Sequence, residues 1–195
     1  MSNIEDKIIK AAAKTFVNGG YFHATTRKIA DDAGINEITL FRKFKSKENL
    51  LRAVMKREEE NVSQLMNRML FEECDPDVKK CLRNLTIEMC NMPDEELGLF
   101  VTLYDARLIV PQIKKHIYKI LQMMVSLVSK YLNEQIKRGN VNNIDPDVAA
   151  GIFIGYQTNN ILLTGYAPNE LLIDNSEKRI DDFIDFFMRG ISKHK

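Results

Sequence analysis

Apolar side chains recur at helical spacing along almost the whole chain. Ile4, Ile8, Ala12 and Phe16 fall every four residues and predict the buried stripe of a first helix. Ser2 with Glu5 three residues later forms a capping-box pattern at its start, and Asn18-Gly19-Gly20 supplies a left-handed stop. Thr26 is placed to cap a short second helix that runs through Ala33 and ends at Gly34. Asn36 then caps a third helix to about Lys43. Ser46 caps a fourth that meets no Gly or Pro before about Phe71.

Later starts reuse one device. Asp75-Pro76-Asp77, Pro93-Asp94 and Asp145-Pro146-Asp147 put proline and acid where a first turn tolerates a missing N–H and favours negative charge. Pro111 opens a long helix with Ile113, Ile117, Ile120, Leu121, Met124, Leu127, Val128, Tyr131 and Leu132 on its stripe, closed by Gly139. Residues 145–166 carry apolar side chains on several faces and predict a helix buried on more than one side. Gly151 and Gly155 each cost such a helix about 1 kcal/mol relative to Ala, which close approach of another helix would offset. The last helix, 176–191, has an apolar stripe through Ile180, Phe183, Ile184, Phe187 and Ile191, widened by Phe186. One two-fold operation would bury both excess faces in a homodimeric four-helix interface containing Ile152, Gly155, Phe183, Phe186 and Phe187. The competing arrangement puts both helices in the core of a single protomer. No strand-like alternation or internal repeat is present, so the expected fold is all-α with about nine helices.

Composition adds little until it is divided along the chain. The 195 residues are 45% hydrophobic and 28% charged, with a formal net charge of +1. Residues 1–57 hold twelve Lys/Arg against six Asp/Glu, while 58–195 hold sixteen against twenty-one. That asymmetry points to an anionic partner for the N-terminal part. Cys74, Cys81 and Cys90 lack CxxC spacing and are expected as reduced thiols in a helical core, with no metal site and no disulfide framework. No signal peptide is read at the start, and the longest apolar run, VAAGIFIGY at 148–156, is far short of the roughly 20 residues that span a bilayer. A cytoplasmic protein without membrane contact is expected. His23, His116 and His194 are isolated, and no nucleophile–base order or glycine-rich phosphate loop is present. An enzyme, a metal and a cofactor are therefore not expected.

Two short helices about a turn at Gly34 form a helix-turn-helix pattern. Ala30, Ala33 and Ile35 suit a tight crossing, and Leu40 with Phe44 would hold the second helix while 37–39 and 41–43 face outward. The stretch IIKAAAKTFVNGGYFHATTRKIADDAGINEITLFRKFKSKENLLRAV resembles the N-terminal domain of the tetracycline-repressor (TetR) family. The likeness lies in Ile8-Ile9 to Phe16, Gly20-Tyr21, Ala24-Thr25-Thr26, Ile29-Ala30, Ala33-Gly34-Ile35, Leu40-Phe41, Phe44 and Ser46-Lys47-Glu48. It implies a homodimeric transcription regulator that grips an operator in double-stranded DNA and answers to a small-molecule effector. The corresponding division is a DNA-binding domain at 1–46, a connecting helix at 47–71, and a ligand-binding and dimerisation domain at 72–195.

Duplex physics assigns the roles. Thr26, Arg27, Lys43 and Lys47 are expected at phosphates, which set register, and Asn36, Glu37, Ile38, Thr39, Phe41 and Arg42 at base edges. Glu37 suits a cytosine amino group and Ile38 a thymine methyl. Ile38, Phe41 and Lys43 depart from the small residue, tyrosine and histidine common in the family, which leaves the operator sequence open. For an apolar or aromatic effector, Met66, Met89, Phe100, Tyr104, Met123, Phe153, Tyr156 and Asn160 are the candidate lining. Asn160 is alternatively a hydrogen-bonding group across the dimer. A helical small-molecule-binding dimer without functional DNA recognition is the other reading.

Overall fold

A computed structural model describes residues 4–166 and 176–191. Among these the secondary structure is helical throughout: α1 (Ile4–His23), α2 (Thr26–Ala33), α3 (Glu37–Phe44), α4 (Lys47–Asn67), α5 (Val78–Cys90), α6 (Asp94–Ala106), α7 (Pro111–Lys137), α8 (Pro146–Tyr166) and α9 (Glu177–Ile191). The all-α expectation holds. Ser2, half of the expected first cap, and His194 lie outside the described residues.

Local chemistry explains most boundaries. Gly20, at φ 71° and ψ 159°, interrupts α1 in a conformation open essentially only to glycine. Asp77 accepts from the backbone N–H groups of Lys79 and Lys80 at the start of α5, and Asp145 accepts from those of Asp147 and Val148 at the start of α8. Ser46 Oγ accepts from Asn49 N–H at the start of α4. That helix widens at its end into a π-helical turn over Arg68–Glu72.

The chain divides into two compact units: residues to 61 with 93–117, and 62–92 with 118 onward. In the first, Ile8, Ala12, Phe16, Ile29, Leu40, Leu50, Val54 and Ile113 are completely buried, whereas Ile4, at the head of the expected stripe, is exposed. There α6 packs on α1, close enough that a Cβ at Gly98 would lie 2.8 Å from a Val17 methyl. In the second unit, α5 packs against α8 and α9 around Leu82, Leu85, Phe153 and Ile184. Phe153 meets Phe183 and Phe187 with ring centroids 5.6 and 5.3 Å apart, and Tyr156 stacks on Phe183 at 3.7 Å.

The expected set of reduced thiols is corrected. Cys74 and Cys81 form a disulfide, with their Cα atoms 5.2 Å apart, and Cys90 is free. The seven-residue separation hid this pairing. The break between the π-helical turn and α5 folds the chain back and brings the two Cα atoms into bonding range.

Candidate nucleic-acid interface

Helix α2 starts one residue earlier in function than the pattern suggested. Thr25, extended at φ −107° and ψ 147°, is the N-cap and accepts from Lys28 N–H at 3.2 Å, so Thr26 is the first helical residue. Gly34, left-handed at φ 68°, ends α2 with its N–H on Ala30 and Asp31 carbonyls. Asn36 then caps α3, its side chain accepting from Ile38 N–H at 2.8 Å. The turn between the helices is thus fixed by one glycine and one asparagine. Leu40 is fully buried, and α3 packs against α2. At the far end Lys45 takes a positive φ of 66°, and Ser46 N–H reaches back to Phe44 C=O at 2.8 Å, which stops α3 abruptly.

The outer face of α3 carries Asn36, Ile38, Phe41, Arg42 and Lys43, all exposed, with Glu37 and Thr39 half-buried. Ile38 is 75% and Phe41 43% exposed. Arg27 is exposed on α2 and Thr26 half-buried beside it.

Several of these groups already have protein partners. Thr26 Oγ1 donates to the Glu37 carboxylate at 2.6 Å, tying the first turn of α2 to that of α3. The Lys43 ammonium donates to Glu5 on α1 at 2.8 Å. Lys47 donates to the Phe22 carbonyl at 3.2 Å and lies 4.6 Å from the Tyr21 ring centroid. Burial pushes the Lys47 ammonium below its ordinary pKa, partly opposed by neighbouring Glu48. Lys47 therefore braces α4 against the end of α1.

The head corresponds to a known family. Residues 8–54 match the family of bacterial regulatory proteins described as tetR. Over this segment the chain is similar to tetR-family transcriptional regulators. A curated relative, the HTH-type transcriptional regulator YvkB of Bacillus subtilis, is 23% identical over 192 residues, covering 95% of this chain and 96% of its own. The fold matches SmeT, repressor of the Stenotrophomonas maltophilia multidrug efflux pump SmeDEF, in its triclosan complex. The TM-score there is 0.79 at 18% identity, over 97% of this chain and 92% of that one. It also matches Bacillus subtilis FadR in complex with stearoyl-CoA, with TM-score 0.75 at 20% identity, over 92% and 96% of the two chains.

The residues named for the effector fall in both compact units of the chain. Met66, Met89 and Phe153 are buried in the second unit, where Met123, Tyr156 and Asn160 are half-buried. Phe100 and Tyr104 belong to the first, stacked with centroids 5.9 Å apart, the Arg107 guanidinium 3.3 Å from the Tyr104 ring centroid. Asn160 donates to Cys90 Sγ at 3.6 Å. Of the residues named for a dimer face, Ile152, Gly155 and Phe186 are exposed, while Phe183 and Phe187 are buried within the protomer.

Sequence reasoning missed two polar groups. Glu5, placed only as a helix-start acid, reaches Lys43 of α3, 38 residues away. Gln157 opens the polar stretch QTNN that follows the apolar run and reads as ordinary helix surface. It is fully buried and donates to Thr86 Oγ1 at 2.8 Å, while its Oε1 has no hydrogen-bond partner. Thr86 spends its single proton on the Leu82 carbonyl, which fixes the Gln157 amide with its oxygen turned away.

Proposed function

We propose that the chain is a homodimeric, ligand-responsive repressor that lays α3 in successive major grooves of a palindromic operator and releases it when a small apolar or aromatic effector binds. The outward face of α3 carries this reading: an eight-residue helix exposes Ile38 and Phe41 beside Arg42 and Lys43, apolar and cationic groups together. Water rewards the exposure of neither large apolar side chain, whereas a groove offers thymine methyls and phosphates to both kinds of group. Arg27, Lys43 and Lys47 are assigned to phosphate, and Asn36, Glu37, Ile38, Thr39, Phe41 and Arg42 to base edges.

A second copy is supported by α8. Val148, Gly151, Ile152, Gly155 and Leu163 form an exposed stripe on α8, and Phe186 of α9 is 77% exposed. A Cβ at Gly151 or Gly155 would meet nothing within 4 Å, so no packing among the described residues uses these small residues. A partner helix would.

The triclosan of the SmeT complex and the acyl chain of the FadR complex favour an apolar effector, as do the methionines and aromatics named above. Residues 1–46 would then read DNA, 47–71 would connect, and 72–195 would bind effector and dimerise. Effector would release DNA by favouring a dimer whose two DNA-binding heads are wrongly spaced for the operator, and moving that equilibrium from 1:99 to 99:1 requires about 5.5 kcal/mol of differential affinity.

Selection from a random duplex pool, followed by titration across a salt series, tests the reading. A two-fold symmetric site with half-site centres about 34–36 Å or a multiple apart is expected. Lys43→Ala should flatten the salt dependence by roughly 0.9 in log–log slope, and Ile152→Glu should give monomers with much weaker binding. Recovery of no preferred sequence, with a protein that sediments as a monomer, would refute the reading.

A further inference from the structure

We propose that Thr26 is a positioning residue for base recognition: its hydroxyl orients the Glu37 carboxylate toward a cytosine rather than holding a phosphate. The inference rests on the DNA-reading role of α3 proposed above, and it follows from counting protons. A threonine hydroxyl has one hydrogen to give. Here that hydrogen lies on Glu37 Oε1 at 2.6 Å, a short, charge-assisted bond. What remains on Thr26 Oγ1 is two lone pairs, which a phosphate oxygen, itself only an acceptor, would meet unfavourably. Thr26 can therefore serve a phosphate only through its backbone N–H at the first turn of α2, a contact that any residue would supply.

The same bond changes what Glu37 can do. A glutamate side chain has three rotatable bonds, and on an exposed helix it samples many directions. Glu37 is half-buried, stands at the first position of α3, and has one oxygen anchored on the neighbouring helix. Its second oxygen keeps acceptor capacity. Anchoring removes rotamer entropy before DNA arrives, so the carboxylate is preorganised for the N4 amino group of cytosine, the donor that a carboxylate reads in the major groove. It also disfavours thymine and guanine at that position, whose major-groove acceptors would oppose an anion that cannot swing away. The α2–α3 bond is thereby a specificity device, and it predicts one cytosine, or the guanine paired with it, in each half-site.

The test uses the full-length protein and the duplex that wild type selects from a random pool. Each half-site position is then varied in turn against wild type, Thr26→Val, Thr26→Ser, Glu37→Gln and, should the valine variant melt early by circular dichroism, Thr26→Ala. Wild type should prefer one cytosine, and Glu37→Gln should change the preference at that position alone. Thr26→Val should reduce discrimination there by roughly five- to tenfold, within the range of a single base contact, with the salt slope unchanged and the other positions still read. Thr26→Ser should restore it. A Thr26→Val defect that is uniform over all sequences and flattens the salt slope would show a phosphate ligand and overturn the proposal. So would an unchanged base preference in that variant. If wild type itself selects no sequence, the failure belongs to the DNA-reading assignment and is recognised as such.

Discussion

Glu5 and Lys43 show how one ion pair can tune an interface. Both are substantially solvent-exposed, so their bond adds little to stability, but it places an anion on a cation assigned to phosphate. A phosphate must displace Glu5, and Glu5 also repels the duplex. Glu5→Gln should therefore tighten operator binding about two- to fivefold at low salt, with the gain shrinking as ionic strength rises. Titration at two salt concentrations checks this, and weaker binding by the variant would contradict it. Gln157 poses the opposite case, a buried group with an orphan acceptor. Gln157→Met keeps the volume, and because the Thr86 proton already rests on Leu82 it leaves no donor stranded. Its unfolding free energy should stay level or rise by up to about 1 kcal/mol in denaturant titration. A loss above about 2 kcal/mol would mean that the amide oxygen is satisfied after all.

Among the elements, α6 is the one whose placement the chain order least suggests. It begins 71 residues after α1 ends yet packs on it, in the same compact unit as α2 and α3. Gly98 permits the approach, since any Cβ would press on the branched Val17. Gly98→Ala gains about 1 kcal/mol of helix propensity and loses about 1–3 to overpacking, so it should lower the melting temperature. In a Val17→Ala background the clash disappears and the same change should become stabilising. A double-mutant cycle with no coupling between the two sites would show that the helices do not touch there. The motif's glycines were legible from sequence because Gly20 and Gly34 need positive φ; Gly98 was not, because its reason is a neighbour on another helix.

For the molecule as a whole, pH enters through Glu58 on α4. Burial, reinforced by Glu96 on α6 and opposed by Arg57, raises its pKa from 4.5 to about 7. A raised acid pKa means that the folded state holds the proton more tightly than the unfolded chain. The associated stability is fully present below about 4.5 and lost as pH rises through about 7. Glu58→Gln should abolish that part of the slope and leave the protein more stable than wild type at pH 8, on the order of 1–2 kcal/mol after allowing for solvent screening. Parallel slopes for the two proteins between pH 5 and 8 would remove Glu58 from the account.

The one-dimensional pattern was enough to determine the helices, several of their caps and the helix-turn-helix. Each depends on neighbours within about four residues: the stripe through Ile8, Ala12 and Phe16, the Asn36 cap, the left-handed Gly34, the alternation of Leu40 with outward positions. The cap of α2 moved by a single residue, to Thr25, because two adjacent threonines offer the same hydroxyl and only backbone dihedrals choose between them. Tertiary structure alone decided which polar groups meet. The Thr26–Glu37 bond, the Lys43–Glu5 pair, the inward turn of Lys47, the Cys74–Cys81 bridge and the burial of Phe183 and Phe187 all join residues whose separation carries no local signal. Helical periodicity tells which face of a rod is apolar; it does not tell which other rod will cover it.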